Sequence, residues 1–270
     1  MMKLLDKVAL ITDASHPCGR AIAQGFGREG ADCVVLDASA EKADQLAVEL
    51  RSSGRAAVGF ACDVRSKTQI AAAVERVVAQ FGRIDILVNC SSPDADDNFL
   101  TVSESDFNRA LDHGPKAYFL FCQAVGRVMV RQRAGKIINL ASTDARIGSG
   151  ESICTSAAHS SIDALSRAVA QALGYYGINA NALLYGPLSS PTLSAEERGE
   201  RLRRMPFGRL ANPQDVVGAA IFLASDDAKF INGESLCVDA GYANAAVTED
   251  SFRPAWGRVW HEFTVPEPEK

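Results

Sequence analysis

Three residues in the middle of the chain could do chemistry together. Ser142 follows the apolar run Lys136–Leu140, and Thr155 and His159 come thirteen and seventeen residues later. Because they are four residues apart, Thr155 and His159 lie on one face of the helix predicted there. The imidazole of His159, with an ordinary pKa of about 6.5, is mostly neutral at pH 7. Thr155 is an aliphatic alcohol and too weak an acid to transfer a proton, so the spacing predicts a polar pocket built around Ser142.

Short apolar runs alternate with helical patterns along most of the chain, and these elements must position the pocket. The predicted elements include helices at Arg20–Arg28 and Lys67–Phe81, a flexible flap at 186–200 and a last strand at Ser235–Val238. Because the runs do not alternate apolar with polar residues, each predicted strand is covered by helices on both faces. The pattern predicts a single-domain α/β fold with a Rossmann-type, doubly wound parallel sheet over residues 1–242. We expect residues 243–270 to form an extension that packs on a surface through four aromatic side chains, Phe252, Trp256, Trp260 and Phe263.

Composition excludes several classes of partner. The net charge of −5 gives no reason to expect nucleic acid or an anionic membrane as a partner, and no apolar run approaches the ~20 residues of a membrane span. The seven cysteines show no metal-binding or disulfide spacing, and the N-terminus has no signal pattern, so we expect a cytoplasmic protein. No metal site is predicted.

Several sequence motifs carry a resemblance to a known family. They include LDKVALIT near the start, CDV around Asp63, IDILVN ending at Asn89 and GKIINLAS ending at Ser142. From Lys3 to Tyr242 the chain resembles the short-chain dehydrogenase/reductase family. The resemblance implies oxidoreductase chemistry with NAD(P) and a catalytic unit of serine, tyrosine and lysine, completed by an asparagine from a kinked helix.

The chain departs from the catalytic unit of that family at three positions. Ser142 remains, but Thr155 stands in place of the tyrosine, His159 in place of the lysine and Gly114 in place of the asparagine. General acid–base participation is worth about 10²–10⁴-fold in rate. We therefore predict that no catalytic unit is intact.

The phosphate loop departs in the same way. Of the family's three glycines in this loop, the segment Thr12–Gly19 keeps only Gly19; Asp13 places a carboxylate near the expected phosphates, and Pro17 removes an N–H donor. Three further residues match positions that contact the cofactor in the family and are interpreted as vestigial: Asp37, Asp63 and Asn89. We expect this chain to bind no NAD.

These losses favour a non-catalytic subunit. The pattern is similar to the inactive subunits of hetero-oligomeric family members, such as the acyl-CoA alcohol dehydrogenase of benzylsuccinate breakdown. It predicts a heterotetramer with an active paralogue that holds NAD and acts on an alcohol, with a hydroxyacyl-CoA as one candidate. Apolar residues on several faces of helices 103–133 and 153–174 are the expected contact surface. They are Phe119, Phe121, Val125, Val128 and Met129 on the first helix and Ile162, Leu165, Val169 and Leu173 on the second.

Two alternatives stay open. One is a non-redox lyase or isomerase that uses the remodelled pocket with Ser142 and His159. The other is an oxidoreductase of the same family with relocated acid and base residues, for which Tyr175, Tyr176 and Tyr185 are the obvious phenols.

Overall fold

The computed structural model of the chain describes residues 2–13, 15–52, 54–91, 98–149 and 152–244. Its centre is a sheet of seven parallel strands in the order β3-β2-β1-β4-β5-β6-β7. The strand bounds are β1 Val8–Ile11, β2 Asp32–Asp37, β3 Ala57–Ala61, β4 Ile86–Asn89, β5 Gly135–Ser142, β6 Ile178–Tyr185 and β7 Ser235–Val238. The predicted single-domain, doubly wound α/β fold is therefore confirmed. Of the predicted extension, residues 245–270 lie outside the described part of the chain.

Helices cover both faces of this sheet. Their bounds are α1 Pro17–Arg28, α2 Ala40–Arg51, α3 Lys67–Phe81, α4 Glu104–Leu111, α5 Ala117–Gln132, α6 Asp144–Ile147, α7 Ile153–Leu173, α8 Ala195–Arg203 and α9 Val217–Ala224. On one face, α1, α2 and α9 contribute buried residues such as Ile22, Leu46 and Leu223 to a common core. On the other, α3 and α5 pack residues such as Val74 and Phe121 against the sheet. The strands are thus buried on both sides, which explains their continuous apolar runs.

The structure corrects several predicted helix boundaries. The helical region 103–133 is two helices joined by one π-helical turn, Asp112–Lys116, in which Gly114 has non-helical angles of φ −91° and ψ −108°. Pro115 lacks an N–H and Gly114 lacks a Cβ, so the ordinary helical ladder is interrupted here. The segment predicted as a flexible flap, 186–200, contains the start of α8, which has a capping box between Ser194 and Glu197.

The wide apolar faces of α5 and α7 are largely used inside this chain. Phe121, Val125 and Met129 of α5 are buried in the core beneath the sheet, and Ile162 of α7 is buried beside β5 and β6. Phe119 is the exception among the residues predicted for a subunit contact, with 47% of its surface exposed. Burial within one chain therefore accounts for most of the pattern that was interpreted as an interface.

No helix in the described ranges is both long enough and apolar enough to cross a membrane.

Candidate active site

The carboxyl ends of four neighbouring strands meet at one edge of the sheet. Strands β1, β4, β5 and β6 end at Ile11, Asn89, Ser142 and Tyr185, and Ser142 pairs with Tyr185 in the register of β5 and β6. The strand order reverses direction between β1 and β4, because β2 and β3 lie on one side of β1 and β4 to β7 on the other. Ligands of doubly wound sheets bind at such a switch point. The predicted pocket around Ser142 is therefore at the position where this fold places its sites.

His16 caps the helix that begins at this edge. Its backbone is extended, and its Nδ1 accepts hydrogen bonds from the N–H groups of Cys18 at 3.2 Å and Gly19 at 3.4 Å. Because Nδ1 is the acceptor, the proton of the neutral ring is on Nε2. Burial lowers the pKa of His16 to about 4, so the ring is neutral at pH 7. The first N–H groups of α1 are therefore satisfied from within the chain.

Asp13 and Asp37 form a pair of carboxylates beside this cap. Asp37, at the end of β2, accepts from the Ser15 N–H at 2.8 Å and the Ser15 hydroxyl at 2.6 Å, and its other oxygen accepts from the Ser39 N–H at 2.8 Å. Asp13 has a left-handed backbone with φ 53° and accepts from the Ser15 N–H at 3.2 Å. Burial, and then the charge of Asp37, raise the pKa of Asp13 to about 6. In the phosphate loop, Ser15 is thus held by hydrogen bonds to the carboxylates of Asp13 and Asp37.

Three aromatic rings join the two halves of the site. The rings of His16 and Tyr185 have centroids 5.7 Å apart, those of His159 and Tyr185 are 6.3 Å apart, and both pairs meet edge to face. His159 is 2% exposed, and burial, with a smaller contribution from His16, lowers its pKa to about 4. The structure brings together His159 and the end of α1, which are distant in sequence. Tyr185 is the residue that connects them.

Ser142 faces the same region from the end of β5. Its Oγ accepts from the Asp144 N–H at 3.2 Å. Burial raises the pKa of Asp144, and the hydrogen bond from Ser142 opposes that shift. Thr155 is half-buried at the start of α7. Ser142 thus lies at the end of β5, and Thr155 and His159 lie on α7, which packs against β5.

Buried polar atoms without partners also lie on these elements. In the part of the chain that the structure describes they are Asn89 Oδ1, Thr143 Oγ1, Ser156 Oγ and His159 Nδ1. Leaving a buried polar atom unpaired costs about 1–3 kcal/mol, so such atoms call for an explanation. The four atoms belong to β4, to the residue after β5 and to α7, the elements that form this edge. A polar ligand bound beside Tyr185 would supply a partner for one of them, His159 Nδ1.

Other predicted site residues lie elsewhere or do other work. Gly114 is buried in the π-helical turn and has no side chain to offer. Asp63 pairs with Arg65 through two hydrogen bonds of 2.9 Å, and this pairing lowers its pKa. Pro17 occupies the first turn of α1, where a missing N–H costs little. Tyr175 is 82% exposed beyond the far end of α7, and the ring of Tyr176 meets it edge to face. Of the three candidate phenols, only Tyr185 therefore lies at the site.

Tyr118 is a buried phenol that sequence reasoning missed. Its hydroxyl donates to the Leu140 carbonyl at 2.7 Å and accepts from the Ser91 N–H at 3.1 Å, which ties β4 to β5 at the site. Complete burial raises its pKa far above the ordinary value for a phenol. Tyr118 therefore serves as a structural support. No sequence signal distinguished it from the other apolar-face residues of α5.

Comparison with known proteins gives consistent matches across most of the chain. A family model described as enoyl-(acyl carrier protein) reductase matches residues 14–243. D-threitol dehydrogenase of Mycolicibacterium smegmatis is 36% identical over 89% of this chain and 94% of its own length. 5-keto-D-gluconate 5-reductase of Escherichia coli K12 is 32% identical over 89% of this chain and 97% of its own. The crystal structure of a short-chain type dehydrogenase/reductase from Mycobacterium marinum superposes with a TM-score of 0.85 at 26% identity, covering 89% of this chain and 97% of that one.

These matches correct the functional prediction made from the sequence. The prediction of a non-catalytic subunit is wrong, because the relatives are named as dehydrogenases and reductases in their own right. Nothing in the relatives' names favours a lyase or isomerase. The prediction relied on the replacement of the family's tyrosine, lysine and asparagine by Thr155, His159 and Gly114. These replacements show that the usual acid and base are absent, but they do not show that the protein is inactive. The predicted heterotetramer with a paralogue stays a prediction, as does the cytoplasmic location.

Proposed function

The chain belongs to the short-chain dehydrogenase/reductase family, and on that premise we propose that it is an oxidoreductase that interconverts a hydroxyl and a carbonyl group on a small, polyhydroxylated compound. The observation that carries this proposal is the buried His159 Nδ1, which has no partner among the described residues and lies on α7, the helix that packs against the strand ending at Ser142. A ligand hydroxyl would satisfy this atom. The names of the threitol and keto-gluconate relatives support the substrate class.

The family normally binds NAD(P), and the residues present at the sheet edge fit such a group. Asp37 is a buried carboxylate at the end of β2, where a ribose hydroxyl could donate to it. The N–H groups of Cys18 and Gly19 begin α1 and could bond a phosphate once they are released from His16 Nδ1. His159 Nδ1 remains for a polar group at the other end, whereas the Asn89 amide lies in the interior, where its nitrogen donates to Asn139 Oδ1 at 2.8 Å. The proposed function therefore includes NAD(P) binding by this chain, in place of the prediction that it binds no NAD.

The reacting groups of the chain are Ser142 and His159. When bound, a nicotinamide cofactor supplies or accepts the hydride. The Ser142 hydroxyl bonds the Asp144 side chain in the free protein. To donate a hydrogen bond to the substrate oxygen it would turn away from that carboxylate, while its oxygen keeps the bond from the Asp144 N–H. His159 is neutral at pH 7, since burial holds its pKa near 4. A neutral imidazole can polarise a carbonyl by donating its N–H.

We expect this chemistry to be slow. A serine hydroxyl and a neutral imidazole are weaker proton donors than a phenol activated by an ammonium group. The loss of a well-matched general acid lowers turnover by about 10²–10⁴-fold. The proposed enzyme therefore has a low kcat on its polyol or keto-acid substrate and retains its selectivity through binding.

The test is a spectrophotometric assay with NAD(H) and NADP(H) against a panel of four- to six-carbon polyols and keto acids. We expect one pair to give turnover that Ser142→Ala lowers at least tenfold, or about 1.4 kcal/mol in barrier. Ser161→Ala is the matched control, because the Ser161 hydroxyl is exposed on α7 and bonds the carbonyl of Ala157. Absence of turnover with every pair, or an unchanged rate in Ser142→Ala, would refute the proposal.

A further inference from the structure

The first N–H groups of α1 are already bonded within the chain. A helix N-terminus leaves its first N–H groups without intrahelical partners, and dinucleotide-binding folds offer them to a pyrophosphate. Here the N–H groups of Cys18 and Gly19 donate to His16 Nδ1 at 3.2 and 3.4 Å. The Ser15 N–H donates to the carboxylates of Asp37 at 2.8 Å and Asp13 at 3.2 Å. Among the described residues of the loop, the N–H donors of Ser15, Cys18 and Gly19 are thus occupied.

His16 is held in this position from several sides. Only 3% of the residue is exposed, and its ring lies edge to face with Tyr185 at 5.7 Å. Its backbone is also fixed, because the His16 N–H donates to the Asp13 carbonyl at 3.0 Å and its carbonyl accepts from the Arg20 N–H at 2.9 Å. Movement of the imidazole is therefore confined to its side-chain torsions. The backbone of the loop can remain in place when the ring turns away.

Resting on the proposed function, we infer that His16 is an internal competitor for the cofactor phosphates and sets the affinity of the site for a dinucleotide. One N–H cannot serve the imidazole and a phosphate oxygen at full strength. Phosphate binding therefore requires the ring to leave Cys18 and Gly19 and to give up its contact with Tyr185. His159 also contacts the Tyr185 ring, and its buried Nδ1 has no hydrogen-bond partner among the described residues. A polar group of a bound ligand could therefore bond this atom.

The expected size of the effect follows from the strength of helix caps. Loss of an N-cap side chain corresponds to about a 2- to 30-fold change in an equilibrium constant. The two bonds from Nδ1 are long, at 3.2 and 3.4 Å, which places His16 toward the lower part of that range. Removing the imidazole should therefore tighten binding of any ligand with a diphosphate. It should also destabilise the free protein, because α1 loses its cap.

The experiment measures binding of NADH and of ADP to the full chain by titration calorimetry, for the wild type and for His16→Ala. We expect His16→Ala to bind both ligands about 2- to 30-fold more tightly and to melt at a lower temperature when no ligand is present. Ser103→Ala is the matched control. It removes the N-cap of α4, whose hydroxyl accepts from the Asp106 N–H at 3.1 Å, and should lower the melting temperature without changing either affinity. If His16→Ala does not fold, His16→Gly also leaves the N–H groups of Cys18 and Gly19 without a side-chain acceptor, is tolerated better than alanine at an N-cap, and should show the same gain in affinity.

The outcomes separate this inference from the proposed function. Equal affinity for ADP in the wild type and in the folded His16 variants would overturn the inference, even if the wild type turns over a substrate. A wild type without turnover, whose His16 variants gain affinity for ADP, would sustain the inference and count against the oxidoreductase. A gain of the same size in Ser103→Ala would overturn the inference, because it would trace the effect to general loosening of the fold.

Discussion

Replacing Asp13 by asparagine should stabilise the protein at neutral pH and leave its stability in acid unchanged. Burial and the neighbouring Asp37 raise the pKa of Asp13 from 3.8 to about 6. Since the folded-state pKa lies above the unfolded value, the folded protein binds more protons between pH 3.8 and about 6. The free energy of unfolding therefore falls as pH rises through this window and stays lower above it.

The magnitude follows from the size of the shift. At about 1.36 kcal/mol per pKa unit, a shift from 3.8 to about 6 gives an upper value near 3 kcal/mol. Asp13 is partly exposed, so we expect a gain of about 1–3 kcal/mol at pH 7.5. The left-handed backbone of Asp13, with φ 53°, is no obstacle, because asparagine adopts this conformation readily. The Asn side-chain oxygen can still accept from the Ser15 N–H.

Urea unfolding at pH 3 and pH 7.5 checks the prediction. The wild type and Asp13→Asn should unfold alike at pH 3, below the unfolded-state pKa of 3.8, and Asp13→Asn should have the larger free energy of unfolding at pH 7.5. Asp6→Asn is the control, because Asp6 also has positive φ, at 59°, but its side chain is 76% exposed in an ion pair with Arg55. Its effect should stay within about 0.5 kcal/mol. A gain for Asp13→Asn that is equal at both pH values would refute the electrostatic reasoning.

Two further predictions concern the packing that supports the site. Tyr118→Phe should cost about 1–3 kcal/mol in chemical unfolding, because the buried Leu140 carbonyl and Ser91 N–H lose their partner; an unchanged midpoint would mean that water replaces the hydroxyl. Gly59→Ala should cost about 3 kcal/mol or more, since a Cβ there would lie 2.3 Å from a backbone oxygen of α2. Gly218→Ala, in open space on α9, should instead stabilise the protein by about 0.5–1 kcal/mol, and equal effects of the two substitutions would contradict the steric argument.

Much of the fold could be predicted from local pattern alone. Strand β7 at Ser235–Val238 and helix α3 at Lys67–Phe81 have the predicted bounds, because apolar periodicity and glycine stops are local signals. The predicted helix boundaries were wrong where a polar side chain caps the helix. Helix α1 begins at Pro17 rather than Arg20 because the His16 imidazole caps it. The predicted flap contains α8 because Ser194 and Glu197 form a capping box.

The site divides in the same way. The sequence by itself determined that Ser142, Thr155 and His159 share one edge, because strand order and helix spacing set that placement. It also established the absence of the family's tyrosine and lysine. The sequence could not determine how that absence affects activity. A residue's type shows which chemistry is lost, but the neighbouring groups that could replace it depend on the folded structure.

Only the tertiary structure decided which side chains fill the edge of the sheet at the start of α1. The contact of His16 with Tyr185, and of Tyr185 with His159, joins residues from three separate elements whose side-chain directions depend on packing. The raised pKa of Asp13 and the lowered pKa of His16 both come from burial, which is a property of the folded chain. Hydrogen bonds between helix N–H groups and a side chain, and the dielectric surroundings of an acid, arise from distant parts of the chain meeting in space. Residue spacing carries no record of them.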